Sequence, residues 1–182
     1  MEAGNLELVL AFVNTRDLED NTDELASAAA LGAWLRARGL LRGRDPSGAD
    51  LVHAKRVREA LRSLLRANNG LSVRKEAAAT LDWAARRAGL SVRFGPGAAA
   101  RHEPAAAGVD AALGSILAAV ATAMLDGSWA RAKACRARDC QWAFYDRARN
   151  RSRIWCSMSV CGNRTKARAY RRRRRAASAA LG

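Results

Sequence analysis

The sequence predicts a mainly α-helical protein of the α+β class, in two parts. Apolar residues recur with the helical period in four segments between residues 22 and 127, interrupted near residue 95 by one short stretch with β character. All four cysteines lie in the last third, in two pairs of equal spacing. We therefore expect a helical domain with a small β-hairpin in residues 1–128, and a separate cysteine-bearing unit in residues 129–182.

The N-terminal segment 6–15 reads LELVLAFVNT and fits either a short strand or a helical turn. The first clear helix start is Thr22, because a threonine can cap free amides and the acids that follow it, Asp23 and Glu24, favour the positive end of the helix dipole. The pattern ends at Gly39. The apolar positions of this predicted helix are Leu25, Ala28, Leu31, Trp34 and Leu35.

Two more helices are predicted between residues 49 and 87. The first, over residues 49–67, has one apolar face and charged residues mostly on the other. The second starts at a cap on Ser72, with Leu81 and either Trp83 or Ala84 turned inward. His53 has no partner at metal-ligand spacing and is expected to pack or to lie at the surface. The apolar face of the first helix consists of Leu51, Ala54, Val57, Leu61, Leu64 and Leu65.

A β-hairpin and a fourth helix complete the first part. The hairpin is predicted from SVRF, a Gly-Pro-Gly turn at residues 95–97 and a polar run that ends at Glu103. Asp110 opens the helix and Gly127 ends it. Because no apolar run approaches 18 residues, we expect no membrane-spanning segment. The apolar positions of this helix are Leu113, Ile116, Leu117, Val120, Ala121 and Met124.

The cysteines have the spacing of a metal site. Four residues separate Cys135 from Cys140, and four separate Cys156 from Cys161. Two such pairs, joined by a segment that folds back, can place four thiolates around Zn²⁺ at about 2.3 Å. Two disulfides and four free thiols are the alternatives. The N-terminus lacks the basic and uninterrupted apolar regions of a secretion signal, so we expect a reducing, cytoplasmic location and metal ligation.

The segments beside the second cysteine pair predict a hairpin followed by a helix. The aromatic and β-branched residues lie on both sides of the polar run 146–153, which favours a hairpin between the two cysteine pairs. We expect these aromatic side chains to pack rather than to stack on bases. If Cys161 lies in the first turn of the next helix, the helix dipole favours its thiolate, and Gly162 lets the backbone approach the metal. This order is that of a treble-clef-like finger.

The positive charge is concentrated in the cysteine-bearing third. Residues 1–128 contain 16 basic and 15 acidic side chains, whereas residues 129–182 contain 16 and 2. A polyanion is therefore the expected partner, with nucleic acid first and an anionic membrane surface second. The alternative to a binding surface is that residues 171–175 form only a solvated, frayed tail. The residues expected to contact phosphates are Arg164, Lys166, Arg168, Arg171, Arg172 and Arg175.

These residues resemble a known family. The segment from Cys135 onward resembles the CGNR zinc finger, named for the residues that here are 161–164, and it shares FYD at 144–146, WCSM at 155–158 and Lys166. Residues 1–128 are similar to the ABATE domain. That similarity lies in FVNT at 12–15, in Trp34-Leu35 before Gly39-Leu40, and in VREAL at 57–61.

The resemblance implies a bacterial, stress-induced transcription regulator whose four cysteines bind Zn²⁺ and whose finger contacts duplex DNA. The N-terminal domain would then bind an unidentified small molecule or mediate assembly, for example as a homodimer. The polar positions considered for such a ligand are Asn14, Thr15, Arg58 and Glu59, for which ordinary capping and surface pairing is the alternative.

Structured RNA is a second candidate partner, because the same basic surface would bind it and exposed aromatic rings could stack on unpaired bases. A catalytic metal is not expected. The nucleases found on treble-clef scaffolds and the zinc deaminases need a histidine or glutamate beside the metal, yet His53 and His102 lie outside the cysteine segment, which contains no glutamate. Four thiolates would also leave no position for an activated water.

Overall fold

The computed structural model describes the backbone of residues 4–179 and the side chains of residues 6–97 and 99–174. The mainly α, α+β class is confirmed, since six helices dominate the described chain and each β element is a two-stranded antiparallel pair. The helices are α1 Gly4–Asn14, α2 Ala28–Arg36, α3 Gly48–Ala67, α4 Lys75–Ala88, α5 Gly108–Leu125 and α6 Asn163–Ala179. The strands are β1 Arg16–Asp17, β2 Thr22–Asp23, β3 Leu90–Phe94, β4 Ala100–Pro104, β5 Ala132–Ala134 and β6 Ala143–Tyr145.

The N-terminal segment is a helix, which decides between the two readings of the sequence. Val9, Phe12 and Val13 of α1 recur at helical spacing and are fully buried. The ring of Phe12 packs against that of Trp34 with centroids 5.5 Å apart. Helix α1 packs mainly on α5 and also contacts α3 and β6, so it lies between the helical core and the C-terminal part.

The predicted start of the second helix was wrong. Thr22 and Asp23 form β2, which pairs with β1, and α2 begins only after Ser27. The hydroxyl of Ser27 accepts a hydrogen bond from the amide of Ala30 at 3.1 Å, so Ser27 is the cap. The carboxylate of Asp23 is taken by the guanidinium of Arg58, at 2.6 and 3.1 Å, which removes it from helix capping.

The next two helices agree with the prediction in extent but differ in their details. Ser47 and Asp50 form a capping box that starts α3. Ser72 does not cap α4, whose first residue follows Arg74 without a side-chain cap. Trp83 is 44% exposed and Ala84 is buried, so Ala84 is the inward residue. His53 is a packing residue: its buried ring meets Trp83 edge-on at 4.6 Å, and burial lowers its pKa.

The predicted hairpin and central helix are present. Strands β3 and β4 pair in antiparallel register, and α5 packs against α1, α4 and β4. The prediction was wrong at the end of α5, where Met124 is 47% exposed and Ala121 is only half-buried, because Ala119 and Ala123 provide the inward contacts. The other predicted positions, Leu113, Ile116, Leu117 and Val120, are buried.

Helix α5 also corrects the expectation about membrane-length segments. It is long and apolar enough to cross a membrane by length and composition, with a mean hydropathy of 1.7 over 18 residues. After Asp110, only small and hydroxylated residues separate its larger apolar side chains, so a single window covers the whole helix. Half of that window is buried inside the protein, as is common for the central helix of a globular core. Length and composition are therefore weak evidence that α5 crosses a membrane.

The helical core continues into the C-terminal part. We call residues 1–128 the body and residues 129–182 the finger. Trp129, Ala132, Ala134 and Ala143 of the finger belong to the same buried cluster as the apolar residues of the body. A second, small cluster surrounds the cysteines and contains Ala137, Phe144 and Trp155. The finger therefore packs on the body through the hairpin β5–β6, rather than being connected to it by a free linker.

Candidate metal centre and basic surface

The four cysteine sulfurs form one compact cluster. All four Sγ atoms lie within 4.8 Å of one another. Within it, Sγ of Cys156 lies 3.5 Å from Sγ of Cys140 and 3.6 Å from Sγ of Cys161. A tetrahedral ion with metal–sulfur bonds of about 2.3 Å needs sulfur–sulfur edges of about 3.8 Å. The described residues therefore offer a closed, four-thiolate site that fits a metal ion.

The first cysteine pair is held by the hairpin β5–β6. Cys135 follows β5 and Cys140 precedes β6, and the amide of Cys135 donates to the carbonyl of Trp142 at 2.9 Å. The hairpin thus encloses the first pair. The predicted hairpin between the two pairs was wrong, because the partner of β6 is β5 and not the segment around Ile154. Phe144 packs in the cysteine cluster, as expected of a structural aromatic residue.

The second pair lies where a helix begins. Ser157 caps a wide helical turn, Met158–Gly162, that continues directly into α6. Cys161 is buried in this turn, so the positive end of the helix dipole faces the sulfur cluster as predicted. A Cβ on Gly162 would lie 2.5 Å from Sδ of Met158 and 3.2 Å from Cδ1 of Trp155. Glycine therefore permits a close approach to these two side chains.

The thiols influence one another's ionisation. A hydrogen bond from Cys140 lowers the pKa of Cys135 to about 5, and that same bond raises the pKa of Cys140. Burial raises the pKa of Cys156 to about 12. Four clustered thiolates without a cation would repel one another, so a divalent ion is the group that allows all four to ionise.

A buried ion pair shapes the loop between the cysteine pairs. Asp146 is fully buried and accepts a hydrogen bond from Nζ of Lys133 at 2.8 Å. It also accepts from the amides of Ala148 and Arg153, both at 3.0 Å. Burial raises the pKa of Asp146, but Lys133 and the amide donors outweigh burial and hold the pKa below its usual value. Lys133 also donates to the carbonyls of Arg151 and Arg153, so this pair fixes both ends of the loop.

Three asparagines join the body to the finger. Asn14 pairs with the backbone of Ala143, donating to its carbonyl at 2.9 Å and accepting from its amide at 2.7 Å. Asn69 is buried and donates to the carbonyls of Ala134 and Ile154 at 2.8 and 2.9 Å. Asn68 donates to two carbonyls at the start of the finger. The side chain of one body residue, Asn69, therefore holds both cysteine-bearing segments together.

The residues considered for a small molecule have partners within the protein. Thr15 donates to the carbonyl of Phe12 and accepts from Arg58 at 3.1 Å. Arg58 also binds Asp23, and Glu59 bridges Arg58 and Arg62. Together with Asn14, these residues connect α1, β2, α3 and the finger. These contacts agree with the alternative that the four residues serve ordinary capping and surface pairing. A ligand role for them stays a prediction.

Comparisons with known families match both parts of the chain. The CGNR zinc finger matches residues 131–174. The ABATE domain, described as "Putative stress-induced transcription regulator", matches residues 6–128, which is more than half of the chain. The chain belongs to the ABATE family. No curated protein sequence matches it.

In this ABATE-family chain, the first two arginines of the basic helix bind acids. Arg164 forms a two-point ion pair with Glu19 of the body, at 2.6 and 2.9 Å, and donates to Sγ of Cys161 at 3.5 Å. The hydrogen bond from Arg164 lowers the pKa of Glu19 and raises that of Arg164. Arg168 binds Asp139, between the first two cysteines, at 2.8 Å. The CGNR arginine thus connects the body, the sulfur cluster and α6.

The remaining predicted phosphate contacts have no acidic partner within the described part of this ABATE-family chain. Lys166, Arg171 and Arg172 are exposed on α6, and Arg171 bonds only a carbonyl of its own helix. The side chain of Arg175 lies outside the described residues. The open cationic surface therefore begins at Lys166 in the first turn of α6 and continues with Arg171 and Arg172.

The sequence did not indicate that several charged residues of this ABATE-family chain are buried and paired. Arg62 is buried and donates to the carbonyls of Val13, Arg16 and Gln141, although the charged residues of α3 were expected mostly on its polar face. Lys133 and Asp146 are buried as a pair. Asp146 is one of only two acids in the finger, which has sixteen basic residues. An acid in so basic a segment was the sequence feature that could have pointed to it.

Proposed function

We propose that this protein is a transcription regulator whose finger binds Zn²⁺ structurally and contacts duplex DNA. The observation that carries the proposal is the cluster of four sulfurs at the start of the arginine-rich helix α6, because metal binding there fixes the root of the helix. Zinc is favoured over other ions because four thiolates in a small tetrahedral site suit it. The four free cysteines fit a reducing, cytoplasmic compartment, and a bacterial source is what the family resemblance implies.

Helix α6 has the dimensions for duplex DNA. Its 17 residues span about 25 Å, and an α-helix fits the major groove of B-form DNA. Structured RNA is the alternative partner, favoured by the ring of Trp142, which is 36% exposed on the loop of the first cysteine pair. Catalysis by the metal is not part of the proposal, since four thiolates fill its coordination sphere.

We expect Arg171→Gln with Arg172→Gln to weaken duplex binding roughly tenfold and to reduce the slope of log K against log salt by about 1.8, because each lost phosphate contact contributes about 0.9. Fluorescence anisotropy of a labelled duplex over a salt series measures both quantities, with an RNA of equal length in competition. Arg86→Gln with Arg93→Gln is the matched control, since these exposed body arginines change the net charge equally. Equal losses in the two pairs of variants would contradict a specific role for α6.

Glu19→Gln tests how the body restrains the finger. The substitution keeps the size of the side chain but removes the charge that binds Arg164. Arg164 then becomes available to a phosphate, and we expect duplex affinity to rise about two- to fivefold at low salt, an effect of the order of one exposed ion pair. Asp82→Asn on α4, which is exposed and has no described partner, changes the charge equally and is expected to leave affinity within the error of measurement. A fall in affinity for Glu19→Gln would instead identify the ion pair as support for the binding surface.

A further inference from the structure

A large cleft lies between the body and the finger, away from the sulfur cluster and from the polar positions considered above. Its volume is about 1020 Å³, at the upper end of the range for small-molecule sites. One wall is the first half of α1, the floor is the second half of α5, and the other wall is the finger hairpin with the loop after it. It is lined by Leu6, Glu7, Leu10, Ala119, Thr122, Ala123, Asp126, Gly127, Ser128, Arg131, Tyr145, Arg147 and Arg151.

The interior of the cleft is apolar. Leu6 and Leu10, one turn apart on α1, line one side of the cleft, and the small side chains of Ala119 and Ala123 on α5 line its floor. This surface suits an extended hydrocarbon or an aromatic ring.

One wall of the cleft carries cations without partners. Arg147 and Arg151 are exposed, and neither guanidinium has an ion pair or hydrogen-bond partner in the described part of the chain. The backbone under them is fixed, because Lys133 binds the carbonyl of Arg151 and Arg131 binds that of Ala148. The unpaired guanidiniums are therefore presented from a loop of defined shape.

The cleft has fewer acidic than basic side chains, and its two acids lie on different elements. Glu7 lies on the opposite wall, and Asp126 accepts a hydrogen bond from the amide of Ser128 at 2.8 Å. Three arginines thus oppose two carboxylates. A guanidinium binds a carboxylate through two parallel hydrogen bonds, which favours an anionic head group over a cationic one.

We propose that this cleft binds a small amphipathic carboxylate, with its apolar part between α1 and α5 and its carboxylate on Arg147 and Arg151. The cleft joins the body to the loop between the cysteine pairs, so the ligand would contact both parts of the protein. Binding of the ligand does not require nucleic-acid binding, and each can therefore fail without the other.

Decanoate is a suitable probe, titrated below its micelle concentration into the metal-loaded full chain by isothermal calorimetry. We expect one site per chain with a Kd of about 10–100 µM, and at least about tenfold weaker binding of decyltrimethylammonium, which has the same alkyl chain and the opposite charge. Equal affinity for the two probes, or no saturable binding of decanoate, would overturn the proposal.

Two variants locate the site. Arg147→Gln with Arg151→Gln is expected to weaken decanoate binding at least about tenfold, whereas Arg149→Gln, exposed on the same loop but outside the cleft, leaves it within twofold. Thr122→Trp places a large ring over the cleft from an exposed position of α5 and is expected to abolish binding. If the tryptophan variant does not fold, the arginine variants decide, and unchanged affinity in them refutes the site.

Discussion

Removal of the metal is expected to unfold the finger while the helices of the body stay folded. Although Trp129 and the hairpin β5–β6 of the finger pack on the body, the cysteine-bearing segments have only a small apolar cluster of their own, so we expect the metal to supply much of their stability. In isolated zinc-finger peptides a structural Zn²⁺ contributes about 10–16 kcal/mol. Hydrogen exchange measured by mass spectrometry should show loss of protection over residues 135–162 after treatment with a strong chelator, with protection retained in α3 and α5.

The same experiment defines the metal. Elemental analysis should give one zinc per chain, and added Zn²⁺ should restore protection after the chelator is removed. Cys156→Ser is expected to reproduce the loss, because a serine hydroxyl does not replace a thiolate ligand, whereas Ser152→Ala in the same segment should retain both metal and protection. If the finger keeps its protection after its metal is gone, the sulfur cluster is not what holds it folded.

Asp146→Ala is expected to lower the free energy of unfolding by about 3–5 kcal/mol, because it leaves the ammonium of Lys133 buried without its counter-ion. For a chain of this size, such a loss corresponds to a fall in Tm of roughly 6–20 °C. Differential scanning calorimetry of the metal-loaded protein measures the shift. Asp20→Ala, at an exposed position of the body, is the control and should change Tm by little.

The partner of Asp146 provides a second test. The double variant Lys133→Met with Asp146→Leu removes both charges, so its Tm should lie above that of Asp146→Ala. The pH dependence has a definite sign. The pKa of Asp146 is lowered in the folded chain, so the stability from its ionisation is complete above the unfolded pKa and is lost as pH falls through the folded pKa. A double variant less stable than the single one would show that the loop depends on the charges themselves.

The positions of the helices were largely predictable, and their boundaries less so. The apolar face of α3 and the glycine after α5 were visible as local patterns, which act over one or two turns of helix. Thr22 failed as a cap because residues 22 and 23 form a strand, in which Asp23 pairs with Arg58, 35 residues away in the chain. A local pattern cannot reveal that competition. The prediction that Met124 is buried failed for a similar reason. The width of the buried face of α5 depends on which neighbouring elements cover it.

The candidate site divides in the same way. The cysteine ligands were predictable because metal coordination requires particular atoms at short spacings, and those spacings are visible in the chain. The basic helix was predictable as a charged segment, yet the pairing of Arg164 with Glu19 joins residues 145 positions apart. The sequence therefore located the cations but did not distinguish those bound by acids from those left open.

By itself, the sequence determined the composition of this protein: a helical body, four thiolates at one place, and a finger that carries nearly all of the excess positive charge. Only the tertiary structure decided that α1, α3 and the finger share one core, that Asn69 holds both cysteine segments, and that a cleft opens beside α5. The physical reason is range. Helix periodicity, capping and metal ligation act between near neighbours, whereas burial and ion pairing depend on residues that only folding brings together.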